Sequence, residues 1–151
     1  MLLTAVKLNT MKMHHKILLN ACMLAALLLS LPCTVRAQGQ DIESMPPVVI
    51  KTVPESGAKE VAPGEVEIKV TFSKEMSDGS WSWSTAWKDS APEIIGKPKY
   101  DADRKTCIAR VKLEPGKTYA WWLNSANFHN FKDSKGHSAV PYLLIFKTAS
   151  K

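Results

Sequence analysis

The clearest pattern in the chain is a strict alternation of apolar and polar residues between positions 65 and 73. The apolar residues are Val66, Ile68, Val70 and Phe72, and the polar residues that alternate with them are Glu65, Glu67, Lys69, Thr71 and Ser73. Successive side chains of a β-strand point to opposite faces, so a period of two gathers the apolar set on one face. The pattern predicts a half-buried antiparallel strand whose charged face lies toward water.

The same criterion predicts six further short strands. They cover 47–53, 80–84, 94–95, 106–113, 118–124 and 142–148, with Pro and Gly turns between them. No window of ten or more residues has a convincing helical period. Six or seven short strands in about a hundred residues predict an all-β chain folded as a β-sandwich.

Residues 113–119 form the strongest structural motif, which reads Leu-Glu-Pro-Gly-Lys-Thr-Tyr. Pro115 and Gly116 set a turn after Leu113, and Tyr119 opens the next predicted strand. A buried phenol needs a hydrogen-bond partner, which the backbone of the turn supplies. We therefore expect the Tyr119 hydroxyl to fold back onto this turn, in the tyrosine-corner arrangement of Greek-key sandwiches.

Residues 1–37 have the features of a secretory signal peptide. Residues 12–16 are cationic, residues 17–31 form a mostly apolar run of 15, and Val35 and Ala37 are small residues suited to a cleavage site. The apolar run is shorter than the 18 residues that indicate a membrane span. An uncleaved N-terminal anchor is the alternative. A lipoprotein is not expected, because Pro32 precedes Cys33 where a small residue is needed.

The predicted cleavage divides the chain into three parts. Residues 1–37 are the signal peptide, residues 38–45 are a flexible mature N-terminus, and residues 46–149 are the domain. We expect the mature protein to begin near Gln38 and to be secreted or periplasmic, with no membrane insertion after signal cleavage.

The net charge changes once the signal is set aside. The 151 residues carry 20 Lys and Arg against 14 Asp and Glu, a formal charge of +6. The predicted signal holds four of the cations and none of the acids, so the rest of the chain has 16 cations, 14 acids and a net charge of +2. Nucleic-acid binding needs denser clusters of cations, so no nucleic-acid partner is expected.

Cys107 is the one cysteine outside the predicted signal, because Cys22 and Cys33 lie within it. The domain is therefore expected to have no internal disulfide and to depend on its core. Cys107 shares a parity with apolar residues of its strand, which favours a small buried hydrophobe over a reactive nucleophile.

No group of residues forms a catalytic or metal-binding pattern. Neither a Gly-rich phosphate loop nor a G-x-S-x-G elbow occurs. Glu65 and Glu67 share an outward face, where paired glutamates are usually just solvated. His129 and His137 flank Asp133, but the spacing matches no established metal site. We predict no cofactor, no metal and no enzyme activity; a small periplasmic metal carrier or hydrolase is the remote alternative.

Two stretches of the chain resemble the bacterial Ig-like domain of the SbsA (S-layer) type. Residues 49–58 read VIKTVPESGA, a proline-ended strand with a P-x-x-G-A turn, and residues 68–77 read IKVTFSKEMS, like the family's I-x-V-x-F-S-x-x-M strand. The likeness continues through 113–119 and into 131–136, near the D-x-x-G loop that precedes the last strand. The resemblance implies an Ig-like or fibronectin-III-like Greek-key sandwich of about seven strands, commonly a spacer or adhesive module of exported bacterial proteins.

Five tryptophans, at positions 81, 83, 87, 121 and 122, are many for one small domain. Adjacent Trp121 and Trp122 must point to opposite faces of a strand, so Trp122 faces outward if Trp121 faces inward. Trp81, Trp83, Trp87 and Trp122 are therefore candidate binding residues. The alternative is core packing, since Ig sandwiches usually bury a tryptophan on the third strand.

These observations favour an exported, non-catalytic Ig-like module that acts by contact with an unknown protein or cell-surface polymer. The alternative is a carbohydrate-binding module that uses outward-facing tryptophans. Exposure of the tryptophans distinguishes the two interpretations.

Overall fold

The computed structural model describes residues 41–151, which form two antiparallel β-sheets with a shared apolar core. The strands are β1 (Val49–Val53), β2 (Gly64–Phe72), β3 (Trp83–Thr85), β4 (Glu93–Ile94), β5 (Lys99–Tyr100), β6 (Thr106–Leu113), β7 (Thr118–Leu123) and β8 (Tyr142–Lys147). The larger sheet has the order β1-β2-β6, and β4 and β5 both pair with the far edge of β6. The smaller sheet has the order β3-β7-β8. The prediction of an all-β sandwich is confirmed.

The larger sheet keeps the alternation that its sequence shows. In the register of β2 with β6, Ile68 lies opposite Ala109 on the inner face, and Glu67 lies opposite Arg110 on the outer face. Ile68 and Ala109 are fully buried, whereas Glu67 and Arg110 are exposed. One face of this sheet therefore supplies core, and the other is a charged surface in water.

The smaller sheet supplies the aromatic half of the core. The inward parity of β7 is Tyr119, Trp121 and Leu123, and all three are buried. Tyr119 packs on Phe146 of β8 with ring centroids 5.5 Å apart. Phe131, in the segment between β7 and β8, bridges the two sheets: its ring centroid lies 5.3 Å from that of Phe72 of β2 and 5.1 Å from that of Trp83 of β3.

The chain crosses between the sheets at the turn from β6 to β7. The Glu114 N–H donates to the Tyr119 hydroxyl over 2.7 Å, and Tyr119 is only 1% exposed. Gly116 has φ +67°, a left-handed conformation that glycine adopts without a Cβ clash. The Thr148 hydroxyl donates to the Glu114 carbonyl over 2.7 Å and accepts from the Lys117 N–H. The phenol and the last strand thus hold the crossover from both sides.

The β3 edge of the smaller sheet is interrupted. The Ser82 carbonyl accepts from the Asn124 N–H and the Ser90 carbonyl accepts from the Ala120 N–H, while residues 86–89 loop away between these points. The buried Ser90 hydroxyl accepts from the Ala86 and Trp87 N–H groups and donates to the Ala120 carbonyl. One side chain therefore closes the base of the loop.

Two predicted strands differ in detail from those observed. The segment predicted over 80–84 forms β3 only from Trp83 to Thr85. The edge strand predicted over 94–95 forms as β4 at Glu93–Ile94, and β5, which was not predicted, follows it. Gly96, with φ +78°, and Pro98 separate these two short strands. Each pairs with a different half of β6, so a single continuous edge strand does not form.

The segment before β1 is attached to the domain. Ile42–Ser44 forms a 3-10 turn, and the Lys74 ammonium donates to the Glu43 and Met45 carbonyls. A flexible segment was expected over 38–45; the part that the structure describes has these specific contacts because Lys74 supplies donors for its free carbonyls. The predicted signal peptide over 1–37 lies outside the described residues.

Candidate functional site

A groove of about 590 Å³ lies on the outer face of the smaller sheet. Its floor is formed by Ser84, Thr85 and Trp122, and Trp122 pairs with Ser84 across the β3–β7 ladder. One wall is the turn 125–128, and the other includes Pro141. Cavities of 300–1,000 Å³ that combine aromatic side chains with a few polar groups are typical ligand sites. This groove is therefore the candidate functional site.

The turn 125–128 is a short, closed loop that projects an aromatic ring. The Ser125 N–H donates to the Phe128 carbonyl over 2.8 Å. His129 contacts the Ala126 carbonyl through Nε2 over 3.1 Å. Phe128 is 53% exposed, so much of its ring is available to a partner.

Asn124 fixes the base of the groove. Its side-chain NH₂ donates to the Phe131 carbonyl over 3.0 Å and to the Ala139 carbonyl over 2.9 Å, and its Oδ1 accepts from the Phe131 N–H over 2.9 Å. The residue is fully buried and has φ +54°, a region that asparagine tolerates better than most residues. The same amide therefore joins both ends of the loop to the chain that leads to Pro141.

Ser82 makes a second connection to the loop. Its hydroxyl accepts from the Asn130 N–H over 2.9 Å, and its backbone carbonyl accepts from the Asn124 N–H over 3.0 Å. The Ser138 hydroxyl also donates to the His129 carbonyl over 3.0 Å. The walls of the groove are thus tied to the sheet at several points.

The structure does not bring the four candidate tryptophans into one surface. Trp83 packs against the core, because its ring centroid lies 4.1 Å from that of Trp121 and 5.1 Å from that of Phe131. Trp81 is half-buried and packs against the same core. Both rings therefore pack against the core and do not line the groove.

The other two candidates lie outward but in different places. Trp122 is half-buried on the groove floor, whereas Trp87 is 50% exposed at the tip of the 86–89 loop and does not line the groove. Phe128, Asn127 and Pro141 also line the groove, although the sequence gives no sign of them. They lie outside the strands, where no period of two marks them, and only the loop closure brings them beside Trp122.

A second, polar cavity of about 290 Å³ lies beside Asp133. Its charged lining residues include Lys74, Lys105, Lys135 and Glu43. The Asp133 carboxylate accepts from the Lys135 and His137 backbone N–H groups and pairs with His137 Nδ1 over 2.9 Å. Burial disfavours the charged form, but these hydrogen bonds outweigh it and lower the pKa of Asp133.

The backbone carbonyl of Asp133 also helps to hold a loop in place. The Gly136 N–H donates to the Asp133 carbonyl, and the Ser77 hydroxyl donates to the same carbonyl, so Asp133 anchors the turn and also the segment after β2. His129 lies elsewhere, against Ala126. Within residues 41–151, no group of three His, Cys, Asp or Glu side chains is arranged to hold a metal ion.

Cys107 lies in the core of the larger sheet, opposite Val70 and Tyr100 on the flanking strands. Burial, with a smaller contribution from the negative charge of Asp78, raises the pKa of the Cys107 thiol to about 12. Burial also raises the pKa of Tyr100 above its usual range. Both groups are therefore neutral at physiological pH, and the thiol acts as a small hydrophobe.

Glu65 and Glu67 lie on the charged face of the larger sheet. Glu65 pairs with Arg110 over 3.2 Å, and Glu67 pairs with Lys69 over 3.4 Å, with all four side chains largely exposed. Exposed pairs of this kind are solvated surface groups.

Residues 43–148 match the family described as bacterial Ig-like domain. The chain belongs to this family. The bacterial Ig-like domain includes all eight strands and both cavities. Domains of this family occur in exported bacterial proteins and are in general non-catalytic surface or binding modules. No curated protein matches the chain at significant similarity. In the part of the chain that the structure describes, no helix has the length and hydropathy of a membrane span.

Proposed function

We propose that this protein is an exported, non-catalytic binding module of the SbsA type that acts by contact with a protein or cell-surface polymer. The observation that carries the proposal is the groove over Trp122 and Phe128. It places two aromatic side chains at the surface of a rigid sheet, and aromatic side chains account for much of the energy at protein contact surfaces.

The contrast between the groove and the core supports this assignment. Trp121 and Trp122 are neighbours in β7, yet Trp121 is buried among aromatic rings and Trp122 faces the groove. Folding of the sandwich needs the first ring and leaves the second for another purpose. Cys107 and Tyr100 pack in the core, and the Asp133 carboxylate holds a loop. The charged side chains of the larger sheet are solvated surface groups. This arrangement fits a module that binds without catalysing a reaction.

The export part of the proposal rests on the signal-like composition of residues 1–37. Mass spectrometry of the protein recovered from the periplasm or medium tests it, and a mature N-terminus near Gln38 is the expected result. Recovery of the intact chain from the membrane fraction would contradict cleavage and favour an anchor.

The contact part is tested by binding of the labelled protein to a native envelope preparation. We expect Phe128→Ala to reduce the bound fraction strongly, because this exposed ring forms one wall of the groove. Trp87→Ala is the matched control, since it removes an equally exposed aromatic ring outside the groove lining. Equal retention of both variants would reject the groove as the contact surface.

A further inference from the structure

We infer that the groove over Trp122 and Phe128 binds an uncharged saccharide of a cell-surface polymer. This inference rests on the proposed function and adds the chemical class of the ligand. None of the residues that line the groove is ionisable, although 23% of the chain is charged. A lining without charge offers nothing to balance an anionic or cationic ligand, so a neutral ligand fits it best.

The polar groups of the groove match a ligand rich in hydroxyls. Thr85 and Ser125 supply hydroxyls and Asn127 supplies an amide, so the lining contains both hydrogen-bond donors and acceptors. Sugar hydroxyls also donate and accept, whereas a proline-rich peptide offers mainly carbonyl acceptors.

The aromatic groups supply the other half of such recognition. A pyranose ring has an apolar face of C–H groups and a rim of hydroxyls, and an aromatic ring covers the apolar face while polar neighbours hold the rim. In this groove, Trp122 lies on the floor and Phe128 on a wall, and the polar side chains of Thr85, Ser125 and Asn127 line the same groove. Stacking and hydrogen bonding can therefore act on one ring together.

The groove is also built to keep its shape. Asn124, which precedes the Phe128 loop, binds Phe131 after the loop and the Ala139 carbonyl near the Pro141 wall, and Ser82 binds the loop through Asn130. A preformed site loses less conformational entropy when it binds a ligand.

The test is calorimetric titration of protein purified after expression of the full chain. The probes are neutral oligosaccharides of glucose, xylose, mannose and N-acetylglucosamine, an oligogalacturonate as the charged arm, and a decaproline peptide as the peptide arm. We expect at least one neutral oligosaccharide to bind. Phe128→Ala and Asn127→Ala should each weaken binding by about tenfold or more, and Trp87→Ala should leave it unchanged.

Three results would overturn the inference: no neutral oligosaccharide binds at millimolar concentration, the oligogalacturonate or decaproline binds more tightly, or the groove variants bind like the unmodified protein. Phe128 is exposed, so its truncation should leave the fold intact, and a circular dichroism melt checks this. If saccharide binding fails while Phe128→Ala still abolishes envelope binding, only the ligand class is wrong. If both fail, the proposed function falls as well.

Discussion

The two sheets present opposite kinds of outer face to the surroundings. On the larger sheet, five of the eight outward positions of β2 and β6 are charged, and Glu65 faces Lys112 and Glu67 faces Arg110. On the smaller sheet, Trp122 lies between Ser84 and Leu143, with no charge on any of the three. Both sheets alternate with the same period and both bury their inner parity, so packing does not require this difference.

The difference indicates where the protein makes contact. A charged, paired face keeps a small domain in solution and adds little to stability. An outward apolar face costs solubility, and a folded protein usually keeps such a face as an interaction surface. The predictions that follow test how far this division between a core, a contact face and a solvated face holds.

The largest effect on stability is expected when the two adjacent tryptophans of β7 are substituted one at a time. Trp121 is 2% exposed and packs on Trp83, so Trp121→Ala should lower the free energy of unfolding by about 3–5 kcal/mol. Trp122→Ala is the matched control on the opposite face and should cost only about 1–2 kcal/mol, because its ring is half-buried. Urea denaturation measures both values. Equal losses of unfolding free energy would mean that Trp122 contributes to the core as much as Trp121 does.

A smaller effect is expected at the crossover that joins the two sheets. Tyr119→Phe removes the acceptor of the Glu114 N–H and should lower the free energy of unfolding by about 1–3 kcal/mol. Tyr142→Phe is the control, because no hydrogen bond to its hydroxyl is found among residues 41–151, and it should change stability by less than about 0.5 kcal/mol. An unchanged melting temperature in Tyr119→Phe would contradict the tyrosine corner.

The Asp133 loop should give the fold an acid-sensitive component. The pKa of Asp133 is lowered in the folded state, so its contribution is complete above the unfolded pKa of about 3.9 and is lost as pH falls through the lower folded value. Asp133→Asn should therefore reduce stability at neutral pH and flatten its decline in acid. Denaturation curves across this range measure the effect, with the exposed Glu60→Gln as control. A parallel decline in Asp133→Asn would contradict the linkage.

The smallest effect is expected on the charged face. Glu65 and Arg110 form an exposed ion pair over 3.2 Å, and a double-mutant cycle with Glu65→Gln and Arg110→Gln should give a coupling energy below about 1 kcal/mol. This coupling should shrink further at high salt. A coupling as large as the Tyr119 effect would show that the charged face is structural and would weaken its contrast with the groove.

The part of the fold that could be predicted from the sequence is the part with two chemically different faces. β2 and β6 alternate apolar with polar residues, and their predicted bounds differ from the observed ones by at most one residue at each end. Trp81 and Trp83 were harder to assign, because their alternating neighbours are all serines. A serine tolerates both burial and solvent, so the pattern does not say which side of the strand is the core.

The groove could not be predicted, because its geometry depends on contacts between distant segments. Phe128 lies beside Trp122 because Asn124 holds the loop between them. Asn124 adopts a left-handed conformation, and its side chain binds Phe131 and Ala139, which follow 7 and 15 residues later. A single asparagine near the end of an apolar strand gives no local sign of these partners. Trp122 itself is a candidate binding residue from the sequence, because strand alternation points it to the face opposite to Trp121.

The detour of residues 86–89 has a consequence for self-association. An uninterrupted strand at the rim of a sheet exposes a ladder of free amide and carbonyl groups, on which further chains can assemble into fibres. Because Ser90 closes the loop at its base, the ladder along β3 is broken after three residues. The domain can therefore expose apolar side chains on the face beside β3 without also offering, at the β3 edge, a template for amyloid-like growth.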